Sequence, residues 1–407
     1  MLYNNLLYLY LLLLATTTSR LSSLASKVDT EEVVDIPHGT LHNGVKVPLV
    51  GLGCASGVRQ KHVSTALNIG YRFLDTAQSY TWGYHEDEVG TALRNFNSNN
   101  EIVFLQTKIH PEELGYEATK KAIQQSLQRL QVKTINSVLI HKPHCWPGAC
   151  NKEPEGTWQE SWKAMEELYN SGIISHSIGI CDVTSEELLN ELLSQRIKPH
   201  IIQNWMDPLH QDTFMRRKIQ GEGILYQAYS SLGTQWYHHK GHSTNPVLNH
   251  PVLMEIANAH RDVGADVGQV VINWATTHGV SVLPASTNPK RQEGNLYDSF
   301  RFSLSEEELN KIDNLDGNVP KNRSSNEISI KFRSESFVNV YWIGHDGNEE
   351  VPVGSVEAGK ELGLNTFHGH TFRFRDNEEN VYSDHTIERE EGSRQVYVIE
   401  PVDEDEL

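Results

Sequence analysis

The sequence lacks an excess of positive charge. Its 407 residues include 35 lysines and arginines against 53 aspartates and glutamates, which gives a formal net charge of −18. A protein this acidic repels phosphate groups, so nucleic acid and anionic membrane surfaces are not expected as partners. The charge is concentrated near the C-terminus, because residues 326–407 contain 7 basic and 19 acidic side chains, a net charge of −12.

The apolar run at the N-terminus is short. It extends from Leu6 to Ala15, too few residues to span a bilayer but typical of a signal-peptide core. Small residues at 23–25 predict cleavage before Ser26, although basic residues before the core are lacking, so an uncleaved anchor or a wrongly assigned start are alternatives. The acidic tail, residues 402–407, ends in EDEL and resembles an endoplasmic-reticulum retrieval signal. We expect a signal peptide at residues 1–25, a location in the lumen of the endoplasmic reticulum, and no stable membrane insertion after cleavage.

Cysteine is scarce, with four residues in the whole chain. Two of them, Cys145 and Cys150, are separated by a Pro-Gly pair that favours a turn. In an oxidising lumen these two could form a disulfide that closes a small loop. Two free thiols are the alternative, and the sequence does not decide between them.

A dinucleotide-binding G-x-G-x-x-G turn is also lacking, since GLGCASG is the only near match and the helix after it begins too late. Short apolar strands instead alternate with helical patterns such as Glu117–Leu130 and Gln159–Asn170, after a hairpin at Asn43-Gly44. This alternation predicts an α/β fold, a (β/α)8 barrel. The predicted strands are Pro48–Gly53, Arg72–Thr76, Val103–Lys108, Ser137–His141, Ser175–Cys181, His200–Asn204, Ile224–Ser230 and Ser281–Ser286.

Titratable residues lie at the ends of three consecutive predicted strands. Asp75, Lys108 and His141 follow one another at intervals of 33 residues, and Tyr80 comes five residues after Asp75. Equal spacing of one βα unit predicts that these side chains converge at one end of the barrel. An ammonium group favours phenolate and lowers a tyrosine pKa, while a carboxylate holds the ammonium in place. The pattern therefore indicates that Tyr80 is a proton donor, whereas each residue alone is more simply explained as structural or solvated.

The motifs DTAxxY, a strand-end lysine and LIH-x-P at these separations resemble the aldo-keto reductase family, over about residues 34–320. The resemblance implies hydride transfer from a nicotinamide cofactor to an aldehyde or ketone. It implies that Tyr80 is the general acid, that Lys108 and Asp75 tune it, and that His141 orients the substrate carbonyl.

The resemblance also implies a cofactor site at the later strand ends. Gln203 would bind the nicotinamide carboxamide, Tyr229 would stack on the nicotinamide, and Ser230 and Leu232 would contact the pyrophosphate. The remaining implied cofactor residues are Asp182, Ser286, Arg291 and Asn295.

Two cofactor positions depart from the family pattern. The usual Ser-Asn pair is Cys181-Asp182, so an amide donor has become a carboxylate. Ala285 stands where the family has a lysine, while Arg291 remains as a cation for the 2′-phosphate. We therefore expect NADP(H) rather than NAD(H), with a weakened preference.

The substrate pocket should be wider and more polar than in most relatives. Lys142 replaces the usual tryptophan, and Ala55 replaces an aromatic residue. The segment Thr234–His250 is predicted to be a long loop in which Trp236 lines the substrate site. Its closely spaced histidines lack an accompanying carboxylate or cysteine, so no metal site is predicted.

The chain is long enough for two domains. Residues 321–336 are polar and are predicted to be a linker, and residues 337–401 alternate with a period of two, which predicts a small all-β sandwich. There, W-I-x-x-D-G and F-x-G-H-x-F-x-F-R-D resemble the β domain of the von Hippel–Lindau tumour suppressor. The resemblance implies a hydroxyproline pocket, although Pro352 stands near the place of a pocket tyrosine and the ubiquitin-ligase-recruiting helix has no counterpart. The implied pocket residues are Trp342, Thr366, His370 and Phe372.

Two functions remain in competition. One is a carbonyl reductase tethered to a β-sandwich module, with a small carbonyl substrate and a hydroxyproline-containing peptide as partners. The other is a catalytically impaired barrel that serves as a scaffold. The departures at Asp182 and Ala285 favour the scaffold. The intact set of Asp75, Tyr80, Lys108 and His141 favours the enzyme.

Overall fold

The structure is a computed structural model, and it divides into two compact units after Val319. It describes residues 34–96, 102–145, 150–240, 242, 244–319, 327–343, 350–367, 369–378, 380–388 and 394–399. The predicted signal peptide and the acidic tail lie outside these residues. Within the described ranges, no helix is both long and apolar enough to cross a membrane.

The first unit begins with the expected hairpin, in which β1 (His38–Thr40) pairs antiparallel with β2 (Lys46–Pro48). Eight parallel strands then lie side by side in chain order. A parallel bridge between Val50 and Val282 joins the first of these strands to the last and closes the barrel. The fold is therefore the predicted (β/α)8 barrel. Its strands are β3 (Leu52–Gly53), β4 (Phe73–Asp75), β5 (Phe104–Ile109), β6 (Ile135–Ile140), β7 (Ile174–Cys181), β8 (Ile201–Trp205), β9 (Leu225–Tyr229) and β10 (Ser281–Val282).

Helices surround the barrel strands and cover their outer faces. The strands read as nearly continuous apolar runs, such as Val138-Leu139-Ile140 in β6, because both faces are buried. The helices are α1 (Gln60–Ile69), α2 (Glu86–Asn95), α3 (Tyr116–Leu130), α4 (Trp158–Asn170), α5 (Glu186–Leu193), α6 (Thr213–Gly221), α7 (Thr234–His239), α8 (Pro251–Ala259), α9 (Val267–Thr277), α10 (Pro289–Leu296) and α11 (Glu306–Asp313).

The segment Thr234–His250 differs from its prediction as a long loop. It begins with helix α7, which starts after Gly233 in the left-handed conformation (φ 82°). Asn245 then holds the segment against the barrel, because its side-chain amide donates to the Leu232 carbonyl at 2.6 Å. The segment is therefore partly helical and hydrogen-bonded to the turn after β9.

The second unit is the predicted all-β domain, built from two sheets. One sheet has the order β14 (Glu361–Phe367), β11 (Glu327–Ser334) and β17 (Arg394–Ile399). The other has the order β13 (Glu350–Val356), β12 (Val338–Ile343), β15 (Thr371–Arg375) and β16 (Val381–Thr386). Phe332 from the first sheet packs against Phe372 and Phe374 from the second, with ring centroids 5.2 and 5.0 Å apart.

Strand β11 corrects the linker prediction for residues 321–336. Ile330 and Phe332 are fully buried, whereas Lys331 between them is exposed. This period of two is the signature of a strand with one face in a core. The strand pairs with both β14 and β17, so it is the centre of its sheet rather than part of a linker.

Candidate active site

A buried ion pair lies at the carboxyl ends of β4 and β5. The Lys108 Nζ donates to Asp75 Oδ2 at 2.5 Å and to the Thr76 carbonyl at 3.1 Å, and the lysine side chain has no exposed surface. Burial alone lowers the pKa of Lys108, but the Asp75 carboxylate more than compensates and raises it. Lys108 is therefore a permanently charged ammonium group inside the barrel mouth.

Tyr84, and not Tyr80, accompanies this ion pair. Lys108 Nζ lies over the Tyr84 ring, 5.1 Å from its centroid. The Tyr84 ring also contacts the His141 ring at 5.6 Å. The structure thus brings Asp75, Lys108 and His141 together as predicted from their spacing, but a different tyrosine completes the group.

Tyr80 lies apart from this cluster. Its hydroxyl donates to Asp87 at 2.9 Å, its ring faces the Arg129 guanidinium, and 40% of the residue is exposed. Burial and the Asp87 hydrogen bond raise the pKa of Tyr80 to about 12. The prediction that Tyr80 joins the strand-end residues is therefore wrong about its position.

The local chain path explains this exchange. Residues Tyr80–Trp82 form a single 3-10 turn that ends at Gly83 in the left-handed conformation (φ 87°). The turn folds the chain back, so that the Tyr84 N–H donates to the Ser79 carbonyl at 3.3 Å. A sequence signal for Tyr84 exists, because it stands just before the acidic first turn of helix α2.

The pKa of Tyr84 differs from the sequence-based expectation, in which a neighbouring ammonium group lowers the pKa of the catalytic phenol. Burial raises the pKa of Tyr84 to about 12, and the Lys108 ammonium opposes this rise without reversing it. The phenol is therefore protonated at neutral pH. A protonated phenol beside a fixed ammonium can give up its proton when an oxyanion forms next to it.

His141 lies at the end of β6, beside Tyr84. Its Nδ1 is 3.2 Å from the Ser79 hydroxyl, and its ring contacts the Trp82 ring at 4.8 Å. Burial lowers the pKa of His141 well below its usual range, and the ammonium groups of Lys108 and Lys142 lower it further. The imidazole is therefore neutral and can act as a hydrogen-bond donor through one nitrogen.

A chain of buried amides extends from Asp75 across the barrel. Gln106 Nε2 donates to Asp75 Oδ1 and to Gln227 Oε1, both at 2.7 Å. Gln203 Nε2 donates to the same Gln227 oxygen at 2.6 Å. Because these side chains are buried, each hydrogen bond is protected from water. The chain links the Asp75 carboxylate to Gln203, the residue implied for the nicotinamide carboxamide.

A second ion pair lies at the ends of β6 and β7. Lys142 Nζ contacts Asp182 Oδ2 and lies 5.5 Å from the centroid of the Tyr229 ring. The Tyr229 hydroxyl donates to the other Asp182 oxygen at 3.0 Å. Asp182 has a positive φ of 60°, a conformation that aspartate tolerates better than most residues. The substituted residues Lys142 and Asp182 are thus partners.

The remaining implied cofactor residues follow β9 and β10. Ser230 has a φ of 55° at the turn before Gly233, and Leu232 is partly buried there. Ser286 precedes helix α10, whose first turn carries the exposed Arg291 and whose N-terminal cap is Asn288. The neighbouring buried residue Asn295 accepts a hydrogen bond from Gln269 at 3.3 Å.

These groups fit a nicotinamide dinucleotide. A half-buried tyrosine ring and a buried glutamine amide, Tyr229 and Gln203, suit a planar carboxamide-bearing ring. At the other end, Arg291 and the start of helix α10 provide positive charge for a phosphate. Ala285 is exposed beside them and supplies no cation.

The predicted substrate-pocket residues also lie at this face. Ala55 follows Cys54, whose N–H donates to the Asp75 carbonyl at 2.8 Å. Trp236 donates its indole N–H to Asp207 Oδ2 at 2.9 Å, and Trp205 donates to the same oxygen at 2.9 Å. Asp207 therefore holds two tryptophan rings beside the end of β8.

A disulfide joins Cys145 to Cys150, with an S–S distance of 2.01 Å. The question that the sequence left open is answered by this pairing. The disulfide lies only a few residues after His141, in the connection that leads to helix α4.

In the all-β unit, the four implied pocket residues are close together. Thr366 Oγ1 lies 3.1 Å from His370 Nδ1, and the His370 and Trp342 rings are 5.5 Å apart. Trp342 is paired directly with Phe372 across β12 and β15. Phe372 is only 2% exposed and belongs to the core, so it can form the floor of a pocket but not its rim.

Comparisons with known proteins agree with this geometry. The model of the aldo/keto reductase family matches residues 58–317. Glyoxal reductase of Bacillus subtilis is 33% identical over 68% of this chain and 91% of its own length. The 9,11-endoperoxide prostaglandin H2 reductase of Trypanosoma cruzi is 34% identical over 68% of this chain and 90% of its own. A solved Bombyx mori aldo-keto reductase in complex with NADP covers 70% of this chain and 94% of its own, with 26% identity and a TM-score of 0.61.

Proposed function

Because the chain belongs to the aldo/keto reductase family, we propose that its barrel reduces an aldehyde or ketone to an alcohol with NADP(H), and that Tyr84 donates the proton. The observation that carries this proposal is the position of Lys108, buried against Asp75 and 5.1 Å from the Tyr84 ring centroid. Gln203, Tyr229 and Arg291 would hold the nicotinamide cofactor, which would supply the hydride for the carbonyl carbon. The side chains of the barrel supply the proton and orient the substrate carbonyl.

The proposed roles follow from the charges and hydrogen bonds of the site. Ser79 can donate to His141 Nδ1, which places the imidazole proton on Nε2, where it can donate to the substrate oxygen. Tyr84 then transfers its proton to the oxygen as negative charge develops there. The Lys108 ammonium stabilises the phenolate that remains, and Asp75 keeps the ammonium in place.

The preference for NADP(H) is part of the proposal. Arg291 is exposed on the first turn of helix α10, where a 2′-phosphate could pair with it. The Bombyx mori relative was solved with NADP. Because Ala285 contributes no charge, discrimination against NADH is expected to be modest.

The two neighbouring tyrosines provide a matched test. Tyr84→Phe removes the proton donor and should lower kcat for aldehyde reduction by on the order of a hundredfold or more, with little change in NADPH affinity. Tyr80→Phe removes an exposed hydroxyl bonded to Asp87 and serves as the control, with kcat changed by less than about threefold. The reverse pattern would return the role to Tyr80, and near-normal activity of both variants would refute a tyrosine donor.

The second unit supports a further function, recognition of a hydroxyproline-containing peptide. The supporting observation is the contact of Thr366 with His370 beside Trp342, since a hydroxyl and an imidazole together suit a ligand hydroxyl. Calorimetry on the full chain with matched proline and hydroxyproline peptides tests this function. Tighter binding of the hydroxyproline peptide is expected, and equal affinity or no binding would contradict it.

A location in the secretory pathway is supported by the disulfide between Cys145 and Cys150, because such bonds persist in oxidising compartments. Fluorescence microscopy of the chain tagged between its two units should show an endoplasmic-reticulum pattern that is lost when the final EDEL is deleted. A cytosolic distribution of the intact chain would contradict this location.

A further inference from the structure

The ion pair between Lys142 and Asp182 lies next to the groups proposed to hold the substrate carbonyl. Lys142 directly follows His141 in sequence, at the end of β6. Asp182 directly follows β7, the neighbouring strand in the sheet. The side chains are only 18% and 23% exposed. An ammonium group is therefore present within the mouth of the barrel, on the side of His141 away from β5.

The charge of this ammonium is balanced by Asp182. One Asp182 oxygen contacts Lys142 and the other accepts from the Tyr229 hydroxyl at 3.0 Å. A substrate carboxylate brought to Lys142 would also meet the Asp182 carboxylate, and like charges repel at this distance. A neutral oxygen atom can accept a hydrogen bond from the ammonium without this repulsion, because the group carries three N–H donors.

The neighbouring side chains fix the position of the Lys142 ammonium group. The Lys142 ammonium lies near the face of the Tyr229 ring, 5.5 Å from its centroid, and a cation in this position is attracted to the ring. Asp182 and Tyr229 thus hold the Lys142 ammonium group in place. Lys142 directly follows His141, and burial together with the charges of Lys108 and Lys142 lowers the pKa of His141. If His141 binds the reacting oxygen, the Lys142 ammonium would bind an oxygen on the next carbon of the substrate.

We propose that Lys142 is a specificity-determining residue that selects neutral carbonyl compounds with a second oxygen on the carbon next to the reacting carbonyl, such as hydroxyaldehydes and dicarbonyls. This inference rests on the proposed carbonyl reduction and names its substrate class. Asp182 has a different role: its carboxylate balances the Lys142 charge and so disfavours substrates that carry a carboxylate next to the carbonyl group.

Three two-carbon aldehydes test the proposal. Acetaldehyde has no second oxygen, glycolaldehyde has a hydroxyl and glyoxylate has a carboxylate. The measured quantity is the ratio of kcat/KM values between two aldehydes, compared between wild type and a variant, so that hydration of each aldehyde cancels. Lys142→Met should lower the ratio of glycolaldehyde to acetaldehyde by about tenfold, the effect expected for a hydrogen bond to a charged group.

Lys198→Met is the matched control. Lys198 precedes β8, so it lies at the amino ends of the barrel strands, whereas Asp182 lies at their carboxyl ends. The Lys198 ammonium donates to the Glu222 carbonyl at 2.7 Å. Removal of this distant charge should leave the ratio of glycolaldehyde to acetaldehyde within about twofold of wild type. An equal fall in both variants would assign the effect to net charge and overturn the proposal.

Asp182→Asn provides a second test that retains the ammonium group. It removes the balancing charge, so the ratio of glyoxylate to glycolaldehyde should rise at least about fivefold. If this ratio does not rise, or if Lys142→Met leaves the first ratio unchanged while acetaldehyde is reduced, the specificity proposal is overturned and carbonyl reduction stands. If wild type oxidises NADPH with none of the three aldehydes, the proposed function fails and the inference fails with it.

Discussion

Two lysine–aspartate pairs lie at the carboxyl ends of the barrel strands, and they differ in burial. Lys108 has no exposed surface and Asp75 is 5% exposed, whereas Lys142 and Asp182 are 18% and 23% exposed. Burial works against charge in both lysines, but only Lys108 has a net raised pKa; that of Lys142 is lowered. The first pair is thus a fixed source of positive charge, and the second can exchange contacts with a ligand.

The difference in burial is accompanied by a difference in the hydrogen-bond partners of the two aspartates. Asp75 accepts hydrogen bonds from both Lys108 and Gln106, and Gln106 continues into the chain of buried amides. Asp182 is held from the side by the Tyr229 hydroxyl, which lies at the mouth of the barrel. Removal of one partner from a buried ion pair is strongly destabilising, because it leaves the other charge buried without compensation.

The largest expected effect is the loss of the buried cation. Lys108→Met leaves Asp75 as an uncompensated buried carboxylate, so the free energy of unfolding should fall by about 3–5 kcal/mol. Urea denaturation measures this change. Lys121→Met on the exposed face of helix α3 is the matched control. A loss below about 1 kcal/mol would mean that the Lys108 pair behaves like a surface pair.

A third carboxylate at this face extends the comparison, because Asp207 is held by two indole groups and a backbone N–H rather than by an ammonium. Burial raises the pKa of Asp207 from 3.8 to about 6. Since the folded state holds the proton more tightly, the stability contribution is complete below about pH 3.8 and is lost as the pH rises through about 6.

Asp207→Asn should remove this pH dependence. The free energy of unfolding of the variant, relative to wild type, should increase by about 2 kcal/mol between pH 4 and pH 7. Chemical denaturation across this range measures the difference. If wild type and variant keep a constant difference, Asp207 does not titrate in this range.

The next effect concerns cofactor selection near Arg291, on the first turn of helix α10. Ala285→Lys adds a charge-assisted contact to a 2′-phosphate, worth about 1.5–3 kcal/mol. The ratio of the NADH Kd to the NADPH Kd should therefore rise by about tenfold or more. Ala259→Lys on helix α8 adds the same charge elsewhere and should leave the ratio unaltered. Strong exclusion of NADH by wild type would show that the absent lysine is not needed.

The smallest effect concerns Gln106, which supports the buried pair from below. Gln106→Met removes the donor to Asp75 and leaves the Gln227 oxygen with one partner fewer, at a cost of about 1–3 kcal/mol in unfolding free energy. Without the Gln106 hydrogen bond, the negative charge of Asp75 is less well neutralised and should raise the pKa of Tyr84 further. The alkaline limb of the pH profile of kcat should therefore move to higher pH. Gln124→Met on the exposed face of helix α3 is the control. An unshifted limb would mean that Gln106 is only structural.

Much of the barrel could be predicted because its signal is periodic. Strands buried on both faces give apolar runs, and the 33-residue spacing of Asp75, Lys108 and His141 reflects one βα unit per step. The tyrosine could not be placed by counting, because a 3-10 turn at Tyr80–Trp82 lengthens the path from Asp75. The position of Tyr84 just before the acidic first turn of helix α2 was the sequence signal that could have identified it.

The partnership of Lys142 with Asp182 was visible in sequence only as two separate departures from the family pattern. Both follow strands that turned out to be neighbours, β6 and β7, so parallel pairing could have linked them. In the all-β unit, the polar composition of residues 327–334 concealed a strand, because Lys331 and Arg333 occupy its exposed face while Ile330 and Phe332 face the core.

The most direct test of the central claim, that the barrel binds a nicotinamide cofactor for carbonyl reduction, is titration of the purified full chain with NADPH. The measurement follows quenching of tryptophan fluorescence. We expect saturable quenching that is stronger for NADPH than for NADH and is reversed by excess NADP+. Absence of saturable binding of either reduced cofactor would rule out nicotinamide-dependent carbonyl reduction and favour a barrel that acts as a scaffold.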